Sequence, residues 1–359
     1  MKANTLKNIF NEFEHKSTFI SYSELNSGHI NDTFLIKATG NKNFILQRIN
    51  HKIFMDVPGL MNNKVLTSKH LKSKFPNIKE EELNQKVLSF VKTKNSDFYY
   101  YKKDEDYWNV MIFINDSITH EIVKNKEVAY EGGKLLGRFL NLTSDLDSSQ
   151  LIDVIPNFHD MSFRFTQYAS SIQSASKERL YKAEKYTQLV SSLKDEMHIL
   201  QKLKETGDIP TRVTHNDTKI SNSLFDKNNK GICMIDTDTV MPGIIHYDFG
   251  DAIRTICNTA AEDEKDLSKV EFNLEYYKAY EKGFLEQTKP SLSQTELTYL
   301  PLAAKTMIFI MALRFLTDYL NNDVYYKTEY PEHNLDRAKN QFKLIESYTA
   351  KTSYNKLYN

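Results

Sequence analysis

Cysteine is nearly absent from this chain of 359 residues. Only Cys233 and Cys257 occur, so no disulfide framework is expected, and both read as reduced thiols in a cytoplasmic setting. Net charge is absent as well: Lys plus Arg and Asp plus Glu are both 47, which removes the electrostatic footprint of a general nucleic-acid binder. No apolar run approaches the roughly 20 residues that span a bilayer. The most apolar one, Met307 to Leu313, lies between Lys305 and Arg314 and reads as a buried helix, so no membrane is implied. The N-terminal segment MKANTLKNIFNEF lacks the apolar core of a signal peptide, and export is not expected. Internal repeats, low-complexity tracts and heptad runs are missing, and nothing implies a protein partner.

What is present is the composition of a globular protein: 40% hydrophobic and 26% charged residues, with 21 Tyr and 21 Phe to build a core. At about 150 residues per unit the length suits two or three structural units. Leu6, Ile9, Phe10 and Phe13 fall on one face of an expected N-terminal helix. TFLIK and FILQRI flank a turn at Gly40 and Asn41, which predicts a hairpin over 33–49. A helix follows over Met61 to Phe75, then a strand-like VLSFV at Val87 to Val91. A second hairpin is expected from FYYY at Phe98 into YWNVMIFI, ending at Ile114.

After Asn115 and Asp116 the pattern turns to long helices: Glu127 to Leu142, Met161 onward, and Glu178 to Leu203. Short strands return at RVTH, NSLFD and ICMID between Thr211 and Gly250. The expectation is an α+β, two-lobed fold: a mostly antiparallel β lobe with one helix over 1–115, which binds nucleotide, and a helical catalytic and substrate-binding lobe over 116–359.

The chemistry concentrates in THNDTKISN, Thr214 to Asn222, followed by IDTD, Ile235 to Asp238. Phosphoryl transfer needs a carboxylate for the incoming hydroxyl and hard oxygen ligands for a nucleotide-bound metal. Asp217 suits the first role, Asn222 and Asp236 suit magnesium, and Lys219 is placed to neutralise the transferred phosphate. The order His215, Asp217, Lys219, Asn222 resembles the catalytic loop of protein kinases, and more closely that of the aminoglycoside phosphotransferase and choline kinase superfamily. That resemblance implies a protein-kinase-like fold, Asp217 as catalytic base, Asn222 and Asp236 as metal ligands, and ATP with Mg2+.

Longer words narrow the resemblance. GHINDTF at Gly28, THNDTK at Thr214, DTVMPG at Asp238, DFGDAIR at Asp248, EDEKDLSKV at Glu262 and YPEHNL at Tyr330 look like the N-acetylhexosamine 1-kinases, from about His29 to Glu346. What this implies is ATP-dependent phosphorylation of GlcNAc or GalNAc at the anomeric hydroxyl, with His29, Asn31, Asp217, Asp251, Arg314 and Tyr325 meeting the sugar. For His29 and Asn31 a turn-stabilising role is the alternative; for Arg314 it is an ion pair with Asp318, one helical turn on. Asp248 is expected to support the catalytic loop, Asp238 to assist a metal or cap a turn, and His159 and Asp160 to cap a helix.

The small lobe departs from the kinase pattern. FILQRI has Gln47 where a phosphate-binding lysine is normal, with Arg48 on the opposite face. Gln47 therefore stands as a nucleotide-site residue without a charge. No glutamate lies in the helix 61–75; Val65 takes its expected place, so both members of the usual ion pair are expected to be absent. Two other readings stay open: a kinase for another small hydroxyl compound (homoserine, choline, methylthioribose or an aminoglycoside), and a nucleotide-binding module that has lost catalysis.

Overall fold

The structure is a computed structural model that describes residues 1–25 and 30–352; His29 lies outside the described residues. Helix α1 (Ala3–Phe10) buries Leu6, Ile9 and Phe10 on one side, and the chain then enters a sheet of β1 (Phe19–Leu25), β2 (Asp32–Ala38) and β3 (Lys42–Ile49). Gly40 and Asn41 both take positive φ, +77° and +53°, the conformation that Gly and Asn tolerate and that the β2–β3 turn requires. Asp56 opens α2 (Val57–Ser73) by accepting the Gly59 N–H at 2.9 Å, with Pro58 in the first turn. After a short α3 (Glu80–Leu83), β4 (Tyr101–Lys103) and β5 (Asp106–Ile112) complete an antiparallel sheet in the order β1-β2-β3-β5-β4. Register pairs Gln47 with Thr33 on one side and Asn109 on the other, so Gln47 sits in a central strand.

Two expectations for this region are corrected. Val87 to Val91 is not a strand; a single bridge joins Phe90 to Met111. The edge strand β1 was not expected, because FISYSEL is largely exposed and carries no apolar alternation.

The helical half begins with α4 (Lys126–Leu142), capped by Asn125, and α5 (Met161–Ser174), capped by Asp160 through the Phe163 N–H at 2.7 Å. The expected single helix over 178–203 is two, α6 (Lys177–Met197) and α7 (Ile199–Glu205), broken at His198. Four short strands follow, β6 (Arg212–Thr214), β7 (Ser223–Phe225), β8 (Gly231–Met234) and β9 (Met241–Gly243), paired β6 with β9 and β7 with β8. Helices α8 (Ile245–Ile256), α9 (Leu274–Thr288), α10 (Gln294–Leu320) and α11 (His333–Lys351) complete the fold.

Helices α4 and α9 approach backbone to backbone, since a Cβ at Gly283 would stand 2.1 Å from the Tyr130 carbonyl oxygen. Helix α10 starts at a capping box of Ser293 and Glu296 and is apolar on all sides because it is the core helix of this half. It is long and apolar enough to cross a membrane by length and composition, yet 78% of its apolar window is buried inside the fold.

Candidate active site

The catalytic loop 214–222 runs from the end of β6 to the start of β7, and its shape is fixed by α8. Asp248 on the first turn of α8 accepts the backbone N–H groups of His215 and Asn216, both at 2.7 Å, while its backbone carbonyl takes the Thr218 hydroxyl at 2.6 Å. One turn later Asp251 accepts the Thr218 N–H at 3.1 Å and is held by Arg254 at 3.1 Å, which also pairs with Glu262 at 2.8 Å. The acidic run 262–266 thus supplies a partner to Arg254 and does not start an α-helix. Helix α8 is itself packed closely on α10 at Gly250, where a Cβ would stand 2.2 Å from the Ala303 carbonyl oxygen.

Asn216 and Asp236 both adopt left-handed backbone conformations, with φ of +62° and +58°. Asn and Asp are the non-glycine residues that enter this region most readily, and such conformations concentrate at functional sites. The Asn216 side chain donates to Thr214 Oγ1 at 2.8 Å and to the Thr239 carbonyl at 3.1 Å, tying the loop to the single 3-10 turn that follows Asp236. His215 is buried, with its Nε2 at 2.9 Å from the Ile235 carbonyl; it stands behind the loop rather than in the cleft.

These constraints bring Asp217, Lys219, Asn222 and Asp236 together. Asn222 Nδ2 donates to Asp217 Oδ2 at 2.7 Å and to its backbone carbonyl at 2.9 Å, and the Lys219 ammonium lies 3.4 Å from the same Oδ2. Among the described residues nothing donates to Asp217 Oδ1, so that oxygen is left for a ligand. Burial lowers the Lys219 pKa, but Asp217 and Asp236 outweigh it and the net direction is upward, which keeps the ammonium charged.

Crowding by protein, then repulsion from Asp238 and Asp217, pushes the Asp236 carboxyl up to about 7. Because the Asp236 residue is exposed at the cleft surface, we assign more of this shift to the repulsion than to lost hydration. A divalent cation relieves that repulsion, and Asn222, both of whose amide hydrogens point at Asp217, has its carbonyl oxygen to offer. The residues therefore fit a metal held by Asn222 and Asp236. Among the described residues no three His, Cys, Asp or Glu side chains group as a metal site.

The small lobe contributes what the sequence did not reveal. Lys64 of α2 forms a buried ion pair with Asp238 and lies 3.4 Å from Gln47 Oε1, which also accepts from Asn109 Nδ2 at 3.0 Å. The usual strand-lysine and helix-glutamate pair is absent among the described residues, as expected; in its place an unforeseen pair has the cation on the helix and the anion on the segment after β8. Asn31 donates to the second oxygen of Asp238 and accepts the Asn50 N–H at 2.8 Å, so Asp238 joins the loop before β2 to the catalytic segment. Arg48 is occupied on the opposite face by Asp32 and Asp106.

Further from the loop, the structure decides against Asp318 as the partner of Arg314. Asp318 accepts the backbone N–H groups of Tyr325 and Tyr326, at 2.8 and 2.9 Å, and the Asn334 amide at 2.9 Å. The Arg314 guanidinium instead stands 5.6 to 5.9 Å from the ring centres of Phe158, Tyr325 and Tyr326. Beside it, burial and the charge of Arg314 pull the Arg164 guanidinium down to about 10. His159, expected as a helix cap, is part-buried here with both ring nitrogens out of solvent; burial brings it down to about 3, aided by Arg314 and Arg164 and opposed by Asp251 and the backbone of Asn216. The Tyr326 hydroxyl is buried without a partner. Tyr325 is 73% exposed at the rim. Nothing in the sequence sets His159, Arg164 and Tyr326 beside Arg314, because only the fold gathers them there.

A sequence profile of the phosphotransferase enzyme family matches residues 87–287, more than half of the chain. Among solved structures, an aminoglycoside phosphotransferase from Alicyclobacillus acidocaldarius is similar with a TM-score of 0.61 at 12% identity, over 96% of this chain and 95% of that one. Amicoumacin kinase, solved with AMP-PNP, Ca2+ and its antibiotic, has a TM-score of 0.60 at 13% identity, over 97% and 94%. Choline kinase from Cryptosporidium parvum has 0.55 at 13%, over 95% and 92%. At these identities the likeness is one of fold: the α+β, two-lobed, kinase-like architecture. Catalytic loop, fold and profile agree, and the chain belongs to the phosphotransferase enzyme family.

Proposed function

We propose that this protein transfers the γ-phosphoryl group of ATP to the anomeric hydroxyl of an N-acetylhexosamine, GlcNAc or GalNAc. The observation that carries the phosphotransfer chemistry is the Asp217 carboxylate, oriented through Oδ2 by Asn222 and Lys219 and open at Oδ1, beside Asp236. The acceptor hydroxyl binds Oδ1 and gives its proton to Asp217 as its oxygen bonds to phosphorus and the bond to ADP breaks; such positioned bases contribute about 10²–10⁴ in rate. Lys219 offsets charge on the transferred group. Asn222 and Asp236 would hold Mg2+, which supplies neutralisation of the phosphate oxygens.

The choice of acceptor rests on the family words and on the charge of the far pocket. Arg164 and Arg314 form no ion pair with any described carboxylate, and His159 beside them is neutral. A polycationic aminoglycoside or a choline ammonium would be repelled there, whereas the hydroxyl and acetamido oxygens of a hexosamine are acceptors for these donors. Asn31, Asp251, Arg314 and Tyr325 are the proposed sugar contacts among the described residues, with Asp251 reached only from its buried place behind the loop, and His29 completes the set. ADP release measured across GlcNAc, GalNAc, glucose, galactose, choline and kanamycin tests the reading. Turnover with an N-acetylhexosamine is expected; turnover with choline or kanamycin and no hexosamine would sink it.

A further inference from the structure

Gln47 occupies the central-strand position from which a lysine usually reaches nucleotide phosphates, and an uncharged amide cannot neutralise them. The nearest buried cation is on the neighbouring helix. Lys64 crosses from α2 to stand at Gln47 Oε1 and Asp238, two residues beyond Asp236, and its side chain is 2% exposed. Taking an ammonium out of water costs several kcal/mol unless it is compensated, and Asp238 compensates it. Asp238 is itself doubly satisfied, by Lys64 on one oxygen and by Asn31 on the other.

The ammonium has three donors. One is spent on Asp238 and a second makes only a 3.4 Å contact with a neutral amide that already has a better donor in Asn109. The cleft wall here holds Asp217, Asp236 and Asp238 against Lys64 and Lys219, an excess of negative charge until a divalent cation is added. With that cation the balance turns positive and suits a polyphosphate.

We propose that Lys64 is the phosphate-binding lysine of this enzyme, relocated from the third strand to the helix and aimed at the nucleotide by Asp238. The proposal rests on the reading of the chain as a nucleotide-dependent phosphotransferase. An incoming phosphate oxygen replaces the weak Gln47 contact, and Gln47 and Asn109 stay bonded to each other. The strand position then needs no charge, which accounts for the joint loss of the strand lysine and the helix glutamate.

The test is calorimetric affinity for ADP and for adenosine, each with Mg2+ and without any sugar, so that an error in the acceptor assignment does not affect it. A hydrogen bond to a charged group corresponds to about a 10- to 100-fold change in affinity. Lys64→Met is expected to lower ADP affinity by about that factor while adenosine affinity stays within about twofold. Gln47→Lys in the Lys64→Met background is expected to recover most of the loss. Lys64→Met/Asp238→Asn, which leaves neither charge buried alone, keeps the measurement accessible if the single change unfolds the protein. A purely structural Lys64–Asp238 pair predicts an unchanged ratio of ADP to adenosine affinity in these variants, and that result overturns the proposal. Failure of the unsubstituted protein to bind ADP at all would overturn the nucleotide-dependent reading with it.

Discussion

Asn216 allows the backbone geometry of the catalytic loop to be separated from its hydrogen bonds. Its φ is +62°, and its buried side chain donates to Thr214 Oγ1 and the Thr239 carbonyl. Asn216→Gly keeps the conformation accessible and loses both bonds, a cost of about 2 kcal/mol at roughly 1 kcal/mol each. Asn216→Ala loses the same bonds and adds a left-handed penalty of about 1–2 kcal/mol, offset by about 0.5–1 kcal/mol because alanine restricts the unfolded chain more than glycine does. The alanine variant should therefore be less stable than the glycine variant by about 1 kcal/mol, against its helix and strand propensity elsewhere. Urea unfolding followed by circular dichroism measures both. Equal stability, or an alanine variant more stable than glycine, would refute the account of how Asp217 is positioned, because the loop would then not be held in the left-handed region.

Acidification should destabilise the ligand-free protein through two histidines. Burial brings His159 to about 3 and His246 to about 4, below the ordinary 6.5, so their stability contribution is present above 6.5 and is lost as pH falls through that value toward 4. At pH 5 the loss is about 2 kcal/mol for each, and His246→Gln should shallow the fall in melting temperature between pH 6.5 and 5; an unchanged slope would count against it. Asp248 opposes this trend. Burial pushes it up to about 7, against two backbone donors, so its contribution declines as pH rises from about 4 to 7, and Asp248→Asn should flatten that decline in melting temperature. Gly283→Ala, which on helix propensity alone would stabilise by about 1 kcal/mol, should instead lower the melting temperature, because the new Cβ meets the Tyr130 carbonyl backbone at 2.1 Å. A raised melting temperature would contradict the close packing of α4 on α9.

Legibility of the sequence followed how local each determinant is. The β2–β3 hairpin was readable because Gly40 and Asn41 supply positive φ within the turn itself, and the catalytic loop because Asp217, Lys219 and Asn222 lie within six residues. The break at His198 was not, since no proline or glycine marks it and the helical spacing continues on both sides. Asp318 was misjudged as a partner of Arg314 because helical spacing alone puts it in reach; the N–H groups of Tyr325 and Tyr326, brought back by the following turn, take its oxygens instead. The pairing of Lys64 with Asp238 spans 174 residues and joins a helix to a loop in the other lobe, so nothing local announces it. The cluster of His159, Arg164, Arg314 and Tyr326 is of the same kind, assembled from separate helices and the turns beside them.

The central claim is that Asp217 activates the anomeric hydroxyl of an N-acetylhexosamine. Phosphorus NMR of the products from ATP, Mg2+ and GlcNAc or GalNAc tests it most directly, because the coupling between phosphorus and the anomeric proton locates the phosphate. The unsubstituted protein should give an anomeric sugar phosphate, and Asp217→Asn should lower its rate of formation by about 10²–10⁴ while ADP still binds. A phosphate at another hydroxyl, or an Asp217→Asn variant as fast as the unsubstituted protein, would contradict the account.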